Sequence, residues 1–269
     1  MDLIISLTVN GLATGMLIFL LAAGLTLIFG LMSVLNFAHG GLFIWGAYTG
    51  VWIYHMTNSF ILGIVSAIII GLVLGLITER LIVRPVYGNH MQQILITLGF
   101  MLVLQELIKV VFGPDQKAVF PPEFLAGSFM VGDIVLIKYR LFIITIGLLV
   151  FILASIILKK SRIGLIVRAG VIDKEMVQAL GVNIKLVFML VFMTGAALAA
   201  LSGILHAVYS GVIYAEMGLE FSILAFIVVV IGGMGSFPGS LFAAILVGLA
   251  QAFMAYYVPA LSLAVNMLL

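Results

Sequence analysis

Long stretches without a charged residue restrict the fold of this chain more than any other feature. Residues 3–31 contain no Asp, Glu, Lys or Arg, and residues 60–78 are also uncharged and almost wholly apolar. A helix of about 20 such residues crosses the hydrocarbon core of a bilayer. Backbone groups in lipid must bond to one another, so a crossing segment is either a helix or a strand of a closed barrel. Barrel strands alternate in polarity, whereas these stretches are apolar throughout, which favours helices.

Composition leads to the same fold class and excludes several functions. Hydrophobic residues make up 65% of the 269 residues and charged residues 8%, against about half and about a quarter in a typical soluble domain. Membrane lipid is therefore the expected surroundings. The net charge of +2 indicates no nucleic-acid partner, and the absence of cysteine excludes disulfides, thiolate nucleophiles and Cys-based metal sites. Because no basic region precedes the first apolar stretch, we expect a retained span rather than a cleaved signal.

Counting apolar stretches predicts an all-α, polytopic integral membrane protein with roughly eight transmembrane helices. Pro259 begins a last apolar piece that is too short to cross, and a ninth helix is expected if the chain continues. We expect residues 1–269 to form a single transmembrane domain. The predicted spans are residues 3–31, 40–55, 60–78, 92–111, 141–158, 186–210, 219–231 and 241–258.

The basic residues predict the orientation, since cytoplasmic loops are enriched in Lys and Arg. If every segment crosses once, one side carries eight basic residues and the other carries four. The first side should be the cytoplasm, and the N-terminus should then be outside. The eight are Arg80, Arg84, Lys159, Lys160, Arg162, Arg168, Lys174 and Lys185, and the four are Lys109, Lys117, Lys138 and Arg140.

Two glycine-rich breaks interrupt the apolar pattern, and each is followed by Leu-Phe. Helices broken at matching places in two halves of a transporter indicate a translocation pathway. The alternative is a tight turn between helices, where glycine supplies a positive φ. Taken alone, His39 favours a hydrogen-bonded structural residue over a proton relay or ligand. The candidate residues are Asn36, His39, Gly40 and Gly41 in the first break, and Gly232, Gly233, Gly235, Pro238 and Gly239 in the second.

Small residues also recur four apart, at Gly11/Gly15, Gly46/Gly50, Gly71/Gly75 and Ala199/Gly203. This spacing lets helix backbones approach closely, so we interpret it as ordinary helix packing.

A polar segment at residues 159–185 contains a short amphipathic pattern. Met176, Val177 and Leu180 recur at helical spacing, and Gly181 and Asn183 suit a helix stop. Such a helix lies on a membrane surface or docks into a groove of a partner, and the pattern does not decide between them.

Several catalytic motifs are missing from the sequence. It contains no Gly-Lys pair, hence no phosphate-binding loop of the Walker type, and no Gly-x-Ser-x-Gly elbow. We therefore expect no enzyme activity, no catalytic residue, no cofactor and no metal. Glu106 with Lys109 predicts an ion pair one helical turn apart, and Glu79 beside Arg80 has the same interpretation at the other surface.

The segment GLTLIFGLMSVLNFAHG at residues 24–40 closely resembles the opening of bacterial branched-chain amino acid ABC importer permeases. ALGVN at residues 179–183 and GGMGSFPG at residues 232–239 match in order, so the resemblance covers essentially the whole chain. The first and third motifs are specific to this family and its relatives, which include urea and amide permeases. The usual Glu-Ala-Ala run of the family is Glu-Met-Val-Gln-Ala here, at residues 175–179.

The resemblance implies a subunit that moves leucine, isoleucine or valine inward across the bacterial cytoplasmic membrane. Its expected partners are a second permease subunit, two ATP-binding subunits on the cytoplasmic face and a soluble substrate-binding protein outside. Residues 159–185 would be the coupling segment that meets the ATPase. A permease for urea or short amides and a self-sufficient transporter or channel are the alternatives. The implied coupling residues are Asp173, Lys174, Glu175, Met176, Val177, Ala179, Leu180, Gly181 and Asn183.

Overall fold

Helices account for most of the computed structural model, which describes residues 2–132 and 134–258. Polar residues begin many of them: the side chains of Ser59, Asn89 and Asn183 each accept a backbone N–H from the first turn of the following helix. Within the described residues the helices are α1 (Asp2–Met32), α2 (His39–Thr57), α3 (Phe60–Ile77), α4 (His90–Phe112), α5 (Lys138–Lys160), α6 (Arg162–Ile172), α7 (Lys174–Ala179), α8 (Ile184–Ser210), α9 (Met217–Gly232) and α10 (Phe237–Tyr257).

Six helical segments in the described part of the chain are long and apolar enough to cross a membrane. They are α1, α4, α5, α8, α10 and the continuous segment Phe60–Val86, in which α3 runs on into a π-helical turn at Thr78–Val83. The other two predicted spans correspond to α2, with 19 residues, and α9, with 16. The prediction of a helical, polytopic protein is thus confirmed in its coarse form. The last apolar piece, residues 259–269, lies outside the described residues.

Helix α1 is the centre of the bundle and packs against α5, α8, α9 and α10. Polar side chains fix it to its neighbours at depth: the Ser202 hydroxyl donates to the Leu17 carbonyl at 2.8 Å, and the hydroxyls of Thr26 and Ser240 lie 2.6 Å apart. The small residues permit the close packing that the sequence predicts. A Cβ on Gly71 would lie 2.7 Å from Ala200 Cβ, so this part of α3 lies directly on α8.

The bundle has two ends, which we call the near end, where α1 begins, and the far end, where α1 ends. Asn10 accepts a hydrogen bond from Arg140 at the start of α5, so α5 begins at the near end. Gly170 of α6 packs against Leu31, so the segment at residues 159–185 is at the far end. The near end and this basic segment are therefore on opposite sides of the bundle.

Short strands occur in the connections, where the sequence analysis predicts none. β1 (Lys117–Ala118) pairs antiparallel with β4 (Val212–Ile213), with Lys117 opposite Ile213. β2 (Ser128–Val131) pairs antiparallel with β3 (Ile134–Ile137). Burial alternates along β3, as expected for a strand with one packed face. The strands have only two to four residues, which is too short to be recognised as apolar stretches in the sequence.

Candidate functional site

The first glycine break is buried, and at this break the chain turns back from the far end toward the middle of the bundle. His39, the first residue of α2, donates from Nε2 to the carbonyl of Leu21 at 3.0 Å. Leu21 lies 11 residues before Met32, the end of α1, which is about 16 Å along a helix axis at 1.5 Å per residue. The connection after α1 therefore runs back along α1, and α2 begins at the depth of its middle.

Asn36 and His39 have polar atoms that this fold buries without a partner. Asn36 Oδ1 accepts the Ala38 N–H at 3.1 Å, whereas Asn36 Nδ2 and His39 Nδ1 are buried and have no hydrogen-bond partner among the described residues. Such groups are uncommon in folded proteins and indicate water, a ligand or a second conformation. Because of these two side chains, the first break places more polar atoms inside the bundle than the second break does.

Helices α4 and α9 hold the first break in place. The Phe37 N–H donates to Thr97 Oγ1 of α4 at 3.2 Å, and the Ser222 hydroxyl of α9 donates to the Phe37 carbonyl at 2.9 Å. Gly40 faces Gly218 of α9 so closely that a Cβ on Gly40 would overlap the Gly218 carbonyl oxygen. Gly41 is packed similarly against α4, since its Cβ would lie 2.6 Å from a methyl group of Leu104.

The second glycine break is an exposed turn between α9 and α10 at the far end. Gly233 and Gly235 have φ angles of +87° and +88°, which favour glycine. Ser236 then caps α10 by accepting the Gly239 N–H at 3.2 Å, and Pro238 occupies the first turn of that helix. A Cβ on Gly232 would lie 2.6 Å from the Gly239 carbonyl, so these two glycines bring the helix ends together.

Helix α9 separates the two breaks. Its first half packs on the first break through Gly218 and Ser222, and farther along the helix the rings of Phe37 and Phe226 have centroids 5.5 Å apart. Its end leads into the second break, where Gly235 lies against Gly30 of α1. The sequence-predicted residues thus form two sites, one buried and one exposed, that share α9 and the second half of α1.

The segment at residues 159–185 contains two short helices, α6 and α7, whereas the sequence pattern predicts one. Asp173 caps α7 by accepting the Met176 N–H at 2.9 Å, and Asn183 caps α8 by accepting the Leu186 N–H at 3.2 Å. Helix α7 ends at Ala179, and Gly181 has φ +83°. The predicted helix stop is therefore confirmed at Gly181, whereas Asn183 begins the next helix instead of ending this one.

The apolar residues of this segment divide between two faces. Met176 and Leu180 are 58% and 75% exposed, whereas Val177 is 4% exposed and belongs to the hydrophobic core. Val177, which the resemblance implies as a coupling residue, is therefore not part of the outward surface that Met176 and Leu180 form. Glu175 and Ala179 are exposed beside Met176 and Leu180.

An ion pair at the end of α3, in which only the carboxylate is buried, differs from the predicted one. Glu79 is 0% exposed and pairs with Arg84, at 2.9 Å between Oε2 and the guanidinium, instead of with the exposed Arg80. The Tyr87 hydroxyl donates to Glu79 Oε1 at 2.7 Å. Burial, together with this hydrogen bond, raises the pKa of Tyr87, which keeps the hydroxyl protonated as a donor.

A second ion pair, at the near end, confirms a prediction and extends it. Lys109 donates to Glu106 at 3.0 Å, as the spacing predicts, and also to Glu216 at 2.9 Å, in the connection before α9. The Lys109 hydrogen bond lowers the pKa of Glu216. Within the described residues, no group of three His, Asp or Glu is placed to hold a metal ion.

Sequence reasoning misses the residues that hold the first break. Thr97, Gly218 and Ser222 are 60 to 185 residues away from Phe37 and Gly40 along the chain, and only their small or polar character in apolar helices could have indicated them.

A helical bundle of this kind, with several apolar segments of spanning length and a helix break at its centre, is that of a multi-pass membrane protein. Comparison with known proteins assigns it more closely. The family model described as "Branched-chain amino acid transport system / permease component" matches residues 7–269. This chain belongs to that family.

Named relatives align over nearly the whole chain. It is 30% identical over 260 residues to the high-affinity branched-chain amino acid transport system permease protein BraD of Pseudomonas aeruginosa, covering 91% of this chain and 84% of BraD. It is 31% identical over 265 residues to the permease LivH of Escherichia coli, covering 92% and 85%. A probable LivH of Methanocaldococcus jannaschii is 25% identical over 253 residues, covering 90% and 78%. No solved structure matches the chain.

Proposed function

We propose that this protein is the permease subunit of an ATP-driven importer that moves branched-chain amino acids inward across the bacterial cytoplasmic membrane. The observation that carries the proposal is the family match over residues 7–269, together with relatives named for this transport at 30–31% identity. The buried break at the centre of the bundle supports a transport role, since irregular backbone at membrane depth is tolerated where it is buried in protein or lines a cavity.

The same proposal assigns the partners. The chain contains no phosphate-binding loop of its own, so two ATP-binding subunits would supply hydrolysis, a second permease subunit would complete the pathway, and a soluble binding protein would deliver substrate. Exposed Met176 and Leu180 at the far end support a docking role for residues 159–185, because large apolar side chains on a polar loop favour contact with a partner.

The distribution of basic residues supports an orientation, and the apolar segments support a helix number. We propose that all eight apolar segments belong to one membrane domain over residues 1–269, and that the far end faces the cytoplasm. The basic cluster from Lys159 to Lys185 supports this orientation. A single cysteine in place of the exposed Gln178 tests it, because the chain has no other cysteine. An impermeant thiol reagent should label that cysteine from the cytoplasmic side, and labelling from outside would refute the topology.

Reconstitution tests the function itself. In liposomes the protein alone should not concentrate leucine, whereas the full set of subunits with ATP and binding protein should. Leucine accumulation by the protein alone, driven by a proton or sodium gradient, would support a self-sufficient transporter and refute the proposal. If the assembly takes up urea or a short amide and leucine does not compete, the protein is a urea or amide permease instead.

A further inference from the structure

A small cleft opens between α1, α8, α9 and α10 toward the near end. Its volume is about 240 Å³, and its lining residues are Thr14, Leu17, Ile18, His206, Glu220, Phe221, Leu224 and Gln251. A second cavity of about 390 Å³ shares Thr14 and Gln251 with it and continues along α1 to Asn10 and Leu7. The cleft therefore adjoins a space that reaches the near end, which is the proposed outer side.

Among the residues that the structure describes, the carboxylate in this cleft has no cationic partner. Glu216, one turn earlier in the chain, is neutralised by Lys109 at 2.9 Å. Glu220 accepts only the Tyr214 hydroxyl, at 3.2 Å, and no Lys, Arg or His of the described residues lies within 4.0 Å of it. An acidic residue on an apolar helix is costly in a membrane and marks a site for a cation or a proton.

Apolar side chains form the wall beside this carboxylate. Leu17, Ile18 and Leu224 line the cleft, and Phe221 closes it by stacking on Phe43 with ring centroids 4.9 Å apart. One anionic group beside an apolar wall, in a space of this size, complements a small molecule with an ammonium group next to a branched aliphatic chain.

We propose that the cleft is a transient binding site for a branched-chain amino acid during translocation, which rests on the proposed function. Glu220 accepts hydrogen bonds from the α-ammonium group of the substrate, and Leu17, Ile18 and Leu224 contact its side chain. Glu220 thus provides the negative charge, and the wall provides the selection for an aliphatic chain. A metal cation or an uncharged hydrocarbon would satisfy only one of these two features.

Thiol labelling of the assembled transporter tests binding directly. Gln251 lines both cavities and is replaced by cysteine. The rate at which a maleimide labels this cysteine is measured with L-leucine and, separately, with 4-methylpentanoate, which has the same aliphatic chain but no ammonium group. Bound leucine should slow labelling by the factor 1 + [L]/Kd, about threefold when its concentration is twice Kd. The 4-methylpentanoate should give little protection, and Glu220→Gln should abolish the protection by leucine. A rate independent of leucine, or equal protection by both compounds, overturns the proposal.

The transport stoichiometry supplies a second test with a matched control. Glu220→Gln should lower the leucine transported per ATP hydrolysed by about tenfold, the size expected for one lost charge-assisted hydrogen bond. ATP hydrolysis stimulated by the binding protein should remain. Glu216→Gln, one turn away and outside the cleft, should leave the ratio unchanged. An unchanged ratio in Glu220→Gln refutes the site, whereas a wild-type assembly without ATP-driven leucine uptake refutes the proposed function instead.

Discussion

Replacing Gly40 by alanine tests the packing at the centre of the bundle. One methyl group there would overlap the carbonyl oxygen of Gly218 and lie 2.8 Å from Ser222 Cβ. A carbonyl within a helix cannot turn aside, so α2 and α9 must separate. Gly99 in α4 is the matched control, because a Cβ on it meets no described atom within 4 Å.

The two substitutions should change stability in opposite directions. Alanine is favoured over glycine within a helix by about 1 kcal/mol, which Gly99→Ala gains without a clash. Forcing a methyl group into a packed contact costs about 1–3 kcal/mol, and separating α2 from α9 also weakens the Ser222–Phe37 hydrogen bond. We therefore expect Gly40→Ala to be less stable than Gly99→Ala by about 2–4 kcal/mol.

Thermal unfolding in detergent, followed by the loss of monodisperse protein, measures this difference. At about 2–4 °C per kcal/mol for a chain of this size, the midpoints should differ by roughly 5–15 °C. Leucine uptake by the reconstituted transporter should fall for Gly40→Ala and remain for Gly99→Ala. If Gly40→Ala unfolds at or above the temperature of Gly99→Ala, the rigid contact inferred between α2 and α9 does not exist.

Two further pairs of variants test the ion pair and the docking surface. Arg84→Ala should destabilise the protein by about 3 kcal/mol, because it leaves the buried Glu79 carboxylate unpaired, whereas Arg80→Ala should have little effect; equal unfolding midpoints would contradict the assignment. Leu180→Glu should leave the permease inserted but reduce ATPase binding and coupled uptake, because it places a charge in an apolar contact, while Val177→Glu should lower the amount of folded protein. Normal uptake with Leu180→Glu would show that this surface does not dock.

Local features of this fold are predictable because neighbouring residues determine them. Apolar stretches mark the helices. The stop at Gly181 follows equally from a positive φ. Asn183 shows the limit of this reasoning, because its type suits either end of a helix, and it begins α8 instead of ending α7.

Features that depend on distant contacts are not predictable in this way. Glu79 has two arginines nearby in sequence, Arg80 and Arg84. The π-helical turn at Thr78–Val83 determines which of them forms the ion pair. In that wide turn, residues five apart lie on one face, so Glu79 meets Arg84 while Arg80 points outward. The burial of Val177 is not predictable either, because the periodicity of α7 identifies apolar positions without showing which of them the rest of the protein covers.

The first break also affects how the chain reaches its native structure. Ser222 binds Phe37 across 185 residues, Ser202 binds Leu17 across 185, and Ser240 contacts Thr26 across 214. During synthesis from the N-terminus, α1 and α2 therefore enter the membrane long before α8, α9 and α10 exist to pack against them. Until then, the backbone groups of the connection and the side chains of Asn36 and His39 lack most of their final surroundings. The centre of this bundle is thus among the first parts to be made and the last to be completed, so chains that end before α9 should stay open at this point and be degraded.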